Sequence, residues 1–295
     1  MADLTNDLSW SFSRDRQFKD CARSYYWQYY GSWGGWTKDA PEQCRKAYLL
    51  KNMRNIDIWI GDIVHQLIKH VLVNKKAGKD VSYDEARETA QKLLKRSYLQ
   101  SSERQWERNI KQNLNLFEHY YDCLPTKEEF RTKMEKAARC VDQFYDCGVL
   151  DGLTPENIIS VDEFDAFTHD GIKIWAIPDF VLKRGDHHVI YDWKTGQPSD
   201  KDMFQLSLYI GYAQDKWGLA PSSVDIVPVY LSKDPIALVP GQPVALDEVY
   251  AFVRTSYDTM KALLVDPYTV DIASCPQIED GSQCRRCKYK ELCGR

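Results

Sequence analysis

Residues 187–196 read HHVIYDWKTG, and this stretch decides the fold because it combines a strand pattern with charged chemistry. Its apolar residues are followed by Asp192 and Lys194, which are two positions apart. Side chains at positions i and i+2 of a strand point to the same face. We therefore predict that Asp192 and Lys194 point together and that Trp193 points to the opposite side. A Thr-Gly turn follows directly.

The preceding segment, IWAIPDFVLK at 174–183, places Asp179 within an apolar strand. If this strand pairs with the next one as a hairpin, Asp179 can reach Asp192. Two carboxylates and a neighbouring carbonyl suit Mg²⁺ or Mn²⁺, which prefer oxygen ligands. A lysine beside them can stabilise developing negative charge. The competing interpretation is a surface hairpin with scattered charges, because a lone Asp-x-Lys is common.

The rest of the chain predicts an α/β fold, a mixed sheet with helices on both faces. The spacing of apolar residues predicts a helix over 56–73, and a charged stretch predicts two or three more helices, the first capped by Ser82 with Glu85. Further strands and helices follow at 158–167, 172–183, 187–193, 200–217, 224–231 and 246–264. The tail from Asp271 is polar and rich in cysteine.

Two helices add polar groups that can face the same point. Gly61 and His65 lie one turn apart on the first helix, and His65 stands beside the apolar stripe rather than within it. A neutral imidazole there is either a metal ligand or a structural residue. Gln205 and Tyr209 share one face of a later helix and can hydrogen-bond the lysine or a DNA backbone.

These four motifs together resemble the PD-(D/E)XK nuclease superfamily in order and spacing. They are Gly61-x-x-x-His65, Ile177-Pro178-Asp179, Asp192-Trp193-Lys194-Thr195-Gly196 and Gln205-x-x-x-Tyr209. The resemblance extends from about Ser9 to Cys293 and is greatest to the RecB-type branch, which includes Cas4 and the AddB nuclease domain. It implies a restriction-endonuclease-like core in a single nuclease domain over 1–295. The helices predicted over 83–147 are interpreted as a helical insertion and are the part that the resemblance matches least.

The resemblance also implies roles for individual residues. Mg²⁺ or Mn²⁺ would be held by His65, Asp179, Asp192 and the carbonyl of Trp193. Lys194 would be catalytic, and Gln205 and Tyr209 would form the accessory motif of the branch. Glu163, on the strand before Asp179, is a candidate for orienting the lysine.

The tail carries Cys284, Cys287 and Cys293 as C-x2-C-x5-C, which can wrap one soft metal centre. Taken alone, these residues leave zinc or iron–sulfur open, with Cys275 or Cys21 as the fourth ligand. The resemblance implies a [4Fe–4S] cluster held by Cys21 and the three tail cysteines, so that the tail at 271–295 closes onto Cys21. Ala22 departs from the family, which usually has Pro after that cysteine.

Composition sets looser limits. The 295 residues are 43% hydrophobic and 28% charged, and the net charge of -4 gives no support for nucleic-acid binding. The N-terminus is polar and no apolar run is long enough to span a bilayer. We therefore expect a cytoplasmic protein without membrane contact.

The expected function is that of a metal-dependent deoxyribonuclease, an exonuclease acting on single-stranded DNA ends. The alternative is a catalytically silent DNA-binding or assembly subunit of a helicase–nuclease or adaptation complex, and RNA as substrate stays open. Any helicase must be a separate chain. Basic side chains of the insertion either contact phosphates or form a solvated face: Lys92, Lys95, Arg96, Arg104, Arg108 and Lys111.

Overall fold

The computed structural model describes residues 4–234, 236 and 238–295. Its strands, numbered along the chain, are β1 (Ile158–Val161), β2 (Ala166–His169), β3 (Ile172–Trp175), β4 (Phe180–Arg184), β5 (His187–Lys194), β6 (Val224–Tyr230), β7 (Leu264–Asp266) and β8 (Thr269–Val270). A mixed four-stranded sheet has the order β1-β4-β5-β6. β5 pairs antiparallel with β4 and parallel with β6, while β2–β3 and β7–β8 form separate two-stranded sheets.

The helices are α1 (Phe12–Asp20), α2 (Ala22–Tyr26), α3 (Glu42–Lys51), α4 (Ile56–Lys76), α5 (Tyr83–Ser102), α6 (Phe117–Tyr120), α7 (Lys127–Asp146), α8 (Asp200–Trp217), α9 (Leu246–Lys261) and α10 (Lys290–Cys293). A π-helical turn covers Trp27–Gly31. Within the described residues, no helix has the length and apolar character needed to cross a bilayer. The parallel β5–β6 pair requires a crossover connection, which α8 supplies.

The central sheet is buried on both faces because its strands send apolar side chains alternately to each side. Tyr191 and Trp193 of β5 pack with the inner sides of α4 and α7. Ile190, which precedes Tyr191 and points to the opposite face, packs with α8 and α9. By the same alternation, Asp192 and Lys194 lie on the α8 side of the sheet. Asp192 and Lys194 therefore face α8, which can contribute further polar side chains beside them.

Several predicted boundaries are wrong because the chain turns within two predicted strands. The strand predicted at 158–167 is two strands in different sheets, separated where Asp162 adopts a positive φ of 44°. The strand predicted at 172–183 is likewise divided. Its interruption contains Pro178, which has no N–H for a sheet ladder. The helices α1–α3 were not predicted individually, whereas α8 has the predicted bounds.

Candidate active site

The β4–β5 hairpin brings two carboxylates to the end of the sheet. Phe180 pairs with Tyr191, so Asp179 and Asp192 are the next residues beyond that pair. The backbone N–H of Trp193 donates a hydrogen bond of 2.8 Å to Oδ2 of Asp179. This bond holds Asp179 against the strand that carries Asp192.

Lys194 lies among three polar groups at the same place. Its Nζ is 2.7 Å from Oδ2 of Asp192 and 3.9 Å from Oδ1 of Asp202, and it donates a 3.2 Å hydrogen bond to Oε1 of Gln205. Burial alone would lower the pKa of Lys194, but the neighbouring carboxylates outweigh burial and raise it. Lys194 is therefore a cation at neutral pH, suited to stabilising negative charge rather than to accepting a proton.

Asp192 is only 3% exposed. Burial, followed by the charge of Asp179, raises the pKa of Asp192 to about 6. Oδ2 of Asp192 forms an ion pair with the ammonium group of Lys194. A buried carboxylate beside a second carboxylate suits a divalent cation, because the ion offsets the repulsion between their charges.

α4 contributes His65 to the same place. Nδ1 of His65 lies 3.6 Å from Oδ2 of Asp179. Burial would lower the pKa of His65, but the nearby carboxylate of Asp179 outweighs burial and raises it. One turn earlier, a Cβ added to Gly61 would lie 3.2 Å from Oγ1 of Thr195. Glycine therefore allows α4 to approach the turn that follows β5.

Two side chains of α8 connect Lys194 back to Asp192. Nε2 of Gln205 donates a 3.0 Å hydrogen bond to the hydroxyl of Tyr209, and that hydroxyl donates a 3.5 Å bond to Oδ1 of Asp192. Together with the Lys194–Gln205 bond, these contacts form a closed ring. The ring restricts the orientation of both the amine and the carboxylate.

The expectation for Glu163 is wrong. Its carboxylate is exposed and lies 3.5 Å from Nζ of Lys76, and it is not among the groups that contact Lys194. Asp202 lies near Lys194 instead, fixed by hydrogen bonds to Oδ2 from the backbone N–H of Ser199 and the hydroxyl of Tyr230. Asp202 is three positions before Gln205 in the same helix, and this spacing was the available signal.

A cleft of about 970 Å³ is lined by the predicted site residues His65, Asp179, Asp192, Trp193, Lys194, Gln205 and Tyr209. Segments that are distant in sequence also line it, including Ser11–Ser13, Arg54, Phe164 and Trp175. No three His, Cys, Asp or Glu side chains within residues 4–234, 236 and 238–295 stand in an arrangement that would hold a metal ion. The residues nevertheless fit a metal ion in donor type, because two carboxylates and an imidazole line one cleft.

Four cysteines from both ends of the chain line a second, small cavity: Cys21, Cys284, Cys287 and Cys293. The backbone N–H groups of Ser24 and Tyr289 donate to the sulfurs of Cys21 and Cys287, each at 3.4 Å. Burial raises the pKa of Cys287 and of Cys293. Cys275 lies in the hydrophobic core.

The basic side chains predicted to contact phosphates do not share one environment. Lys92 and Arg104 each pair with a glutamate of the local chain, Glu88 and Glu107, as expected of a solvated face. Arg96 and Lys111 instead line a polar cavity of about 400 Å³. Arg54 and Asp62 line both this cavity and the cleft.

A sequence model described as the PD-(D/E)XK nuclease superfamily matches residues 9–294. The match begins before α1 and ends after Cys293, so it includes the cleft residues and the four cysteines. A search of curated proteins found no match to this chain. The central mixed sheet flanked by helices is consistent with a restriction-endonuclease-like fold.

Proposed function

Because the chain belongs to the PD-(D/E)XK nuclease superfamily, we propose that it is a metal-dependent deoxyribonuclease and that the cleft at the end of β5 is its active site. The observation that carries the proposal is the convergence of Asp179, Asp192 and Lys194 at one end of the hairpin. We further propose that it acts as an exonuclease on single-stranded DNA ends and that the whole chain works as one nuclease domain. DNA is the proposed partner, and a separate helicase chain remains a prediction.

The proposed metal is Mg²⁺ or Mn²⁺. Asp179, Asp192, the carbonyl of Trp193 and the imidazole of His65 would hold it, a mainly oxygen donor set that suits these ions. When bound, such an ion lowers the pKa of water and offsets negative charge on the phosphate. The position of both carboxylates and the imidazole on one cleft supports this assignment.

The side chains themselves supply positioning and charge. Lys194, a cation held by Asp192 and Gln205, would stabilise the charge that develops on the phosphate oxygens. Tyr209 and Gln205 would keep the amine and the carboxylate in their relative places. Such restraint matters because misplacement of a catalytic group by about 1 Å can reduce the rate by about 100-fold.

Cleavage of end-labelled single-stranded DNA in Mg²⁺ or Mn²⁺ tests the proposal. Asp192→Ala and Lys194→Met should each reduce cleavage by about 100-fold or more. Asp225→Ala is the matched control, because Asp225 is a carboxylate on β6 that pairs with His187 away from the cleft. Retained cleavage by both site variants would contradict the assignment. DNA binding without any cleavage by the wild type would favour the assembly-subunit alternative.

Substrate form tests the exonuclease proposal separately. A linear single strand should be degraded from an end, while a circular strand of the same sequence should persist. Equal loss of the circle would show internal cutting and overturn the end requirement. An RNA strand of matched sequence tests the choice of sugar, which the phosphate chemistry leaves open.

We also propose that Cys21, Cys284, Cys287 and Cys293 hold a [4Fe–4S] cluster. Support comes from their common cavity and from the two N–H groups directed at sulfur, since such bonds are typical around cluster thiolates. The tail also packs on the N-terminal region: Lys288 donates to the carbonyl of Lys51 at 2.8 Å. The cluster would act structurally, by closing the chain ends together.

Iron content and brown absorbance test the cluster. Cys287→Ser should lose both and fold poorly, whereas Cys44→Ser should retain both because the Cys44 thiol donates to the carbonyl of Trp33, outside the cavity. Soluble, fully active Cys287→Ser protein without iron would contradict a structural cluster. If the purified wild type contains stoichiometric zinc and no iron, the four cysteines form a zinc site and the proposed cluster is wrong.

A further inference from the structure

Phe164 is an exposed aromatic side chain at the edge of the cleft. It follows β1, lines the cleft together with Asp179 and Lys194, and is 76% exposed. A phenylalanine ring is ordinarily buried, because exposing it to water costs free energy that packing would recover. An exposed ring beside charged groups is therefore a surface available to a ligand.

A second aromatic ring, that of Trp175, packs against Phe164. The rings of Phe164 and Trp175 are stacked, with centroids 4.6 Å apart and planes at 29°. Trp175 also lines the cleft, and its indole N–H donates a 3.1 Å hydrogen bond to Oγ of Ser9. Nζ of Lys173 lies 4.4 Å from the Trp175 ring centroid. We name the pair of Phe164 and Trp175 the aromatic ledge.

The segment that carries Phe164 is held on both sides. Before it, the backbone N–H of Asp162 donates to the carbonyl of Asp179 at 2.9 Å, and the Asp162 carboxylate pairs with Lys69 at 2.8 Å. After it, Asp165 accepts a 3.2 Å hydrogen bond from Tyr212. The chain on both sides of Phe164 is therefore held by hydrogen bonds and an ion pair. One of these hydrogen bonds goes to the backbone carbonyl of Asp179, whose carboxylate lines the cleft.

We propose that the aromatic ledge stacks an unpaired base of the nucleic acid strand whose phosphate lies at Asp179, Asp192 and Lys194. Every base has a flat face, so stacking selects for single-stranded structure and not for sequence. A base within a duplex is already stacked and paired, so its face is closed to the ledge. The inference rests on the proposed function. It assigns the selection of single-stranded over double-stranded substrate to Phe164 and Trp175.

Binding of a labelled single-stranded oligonucleotide, without divalent ions, tests the ledge independently of cleavage. Phe164→Ala should weaken binding by about tenfold, in the range expected for one base stacked on an aromatic side chain. Phe164→Trp should retain binding, and Phe164→Leu should resemble alanine because it keeps apolar bulk without a ring. Tyr268→Ala, at an exposed aromatic outside the cleft lining, is the control and should bind like the wild type.

An abasic-site scan of the oligonucleotide locates the contact. The Phe164→Ala penalty should vanish on the strand that lacks the stacked base and persist on the others. Unchanged affinity of Phe164→Ala, full affinity of Phe164→Leu, or no single-strand binding by the wild type would each overturn the ledge. If one of these results is found and the wild type still cleaves DNA, the aromatic ledge is rejected while the proposed nuclease activity stands. If binding depends on the ledge but the wild type does not cleave, the ledge stands and the proposed nuclease activity is rejected.

Discussion

Lowering the pH from about 8 to about 5 should weaken Mn²⁺ binding at the cleft by roughly tenfold or more. Protons and the metal compete for Asp192, so affinity should fall as the pH drops through the Asp192 pKa of about 6. At about pH 5, one unit below that pKa, roughly nine in ten Asp192 carboxyls are protonated. The pKa of His65 is also raised, so a second proton should steepen the loss.

Titration calorimetry with Mn²⁺ at several pH values between about 5 and 8 measures this dependence. His65→Gln should bind Mn²⁺ more weakly at high pH and show a shallower dependence, because one competing proton has been removed. Asp225→Ala should follow the wild type. An affinity that does not change over this pH range, or a His65→Gln slope equal to that of the wild type, would refute the reasoning.

Three substitutions away from the metal donors test the supporting structure. Gly61→Val should reduce cleavage by about tenfold or more while the protein stays folded, because the added carbons force α4 away from Thr195. Phe144→Ala should lower the free energy of unfolding in urea by about 3–5 kcal/mol, since that ring is fully buried against Trp193. Ser82→Ala should cost about 1 kcal/mol through loss of its capping box, with cleavage unchanged.

The sequence alone determined the features that depend on neighbours within a few positions. The bounds of α8 follow from a capping box at Ser199 and a left-handed Gly218 after its last residue. Strand alternation was enough to place Asp192 and Lys194 on one face. The capping of α5 by Ser82 and Glu85 was predicted and is confirmed, because both partners lie within one turn.

Only the tertiary structure decided which distant groups meet. Asp202 rather than Glu163 lies beside Lys194 because the chain turns at Asp162 and carries Glu163 towards α4. The stacking of Phe164 on Trp175 likewise depends on the hydrogen bonds and ion pair that hold residues 162–165 between two sheets. Local patterns encode hydrogen bonds and faces within an element, but contacts between elements depend on the packing of the whole core, which no short stretch of sequence contains.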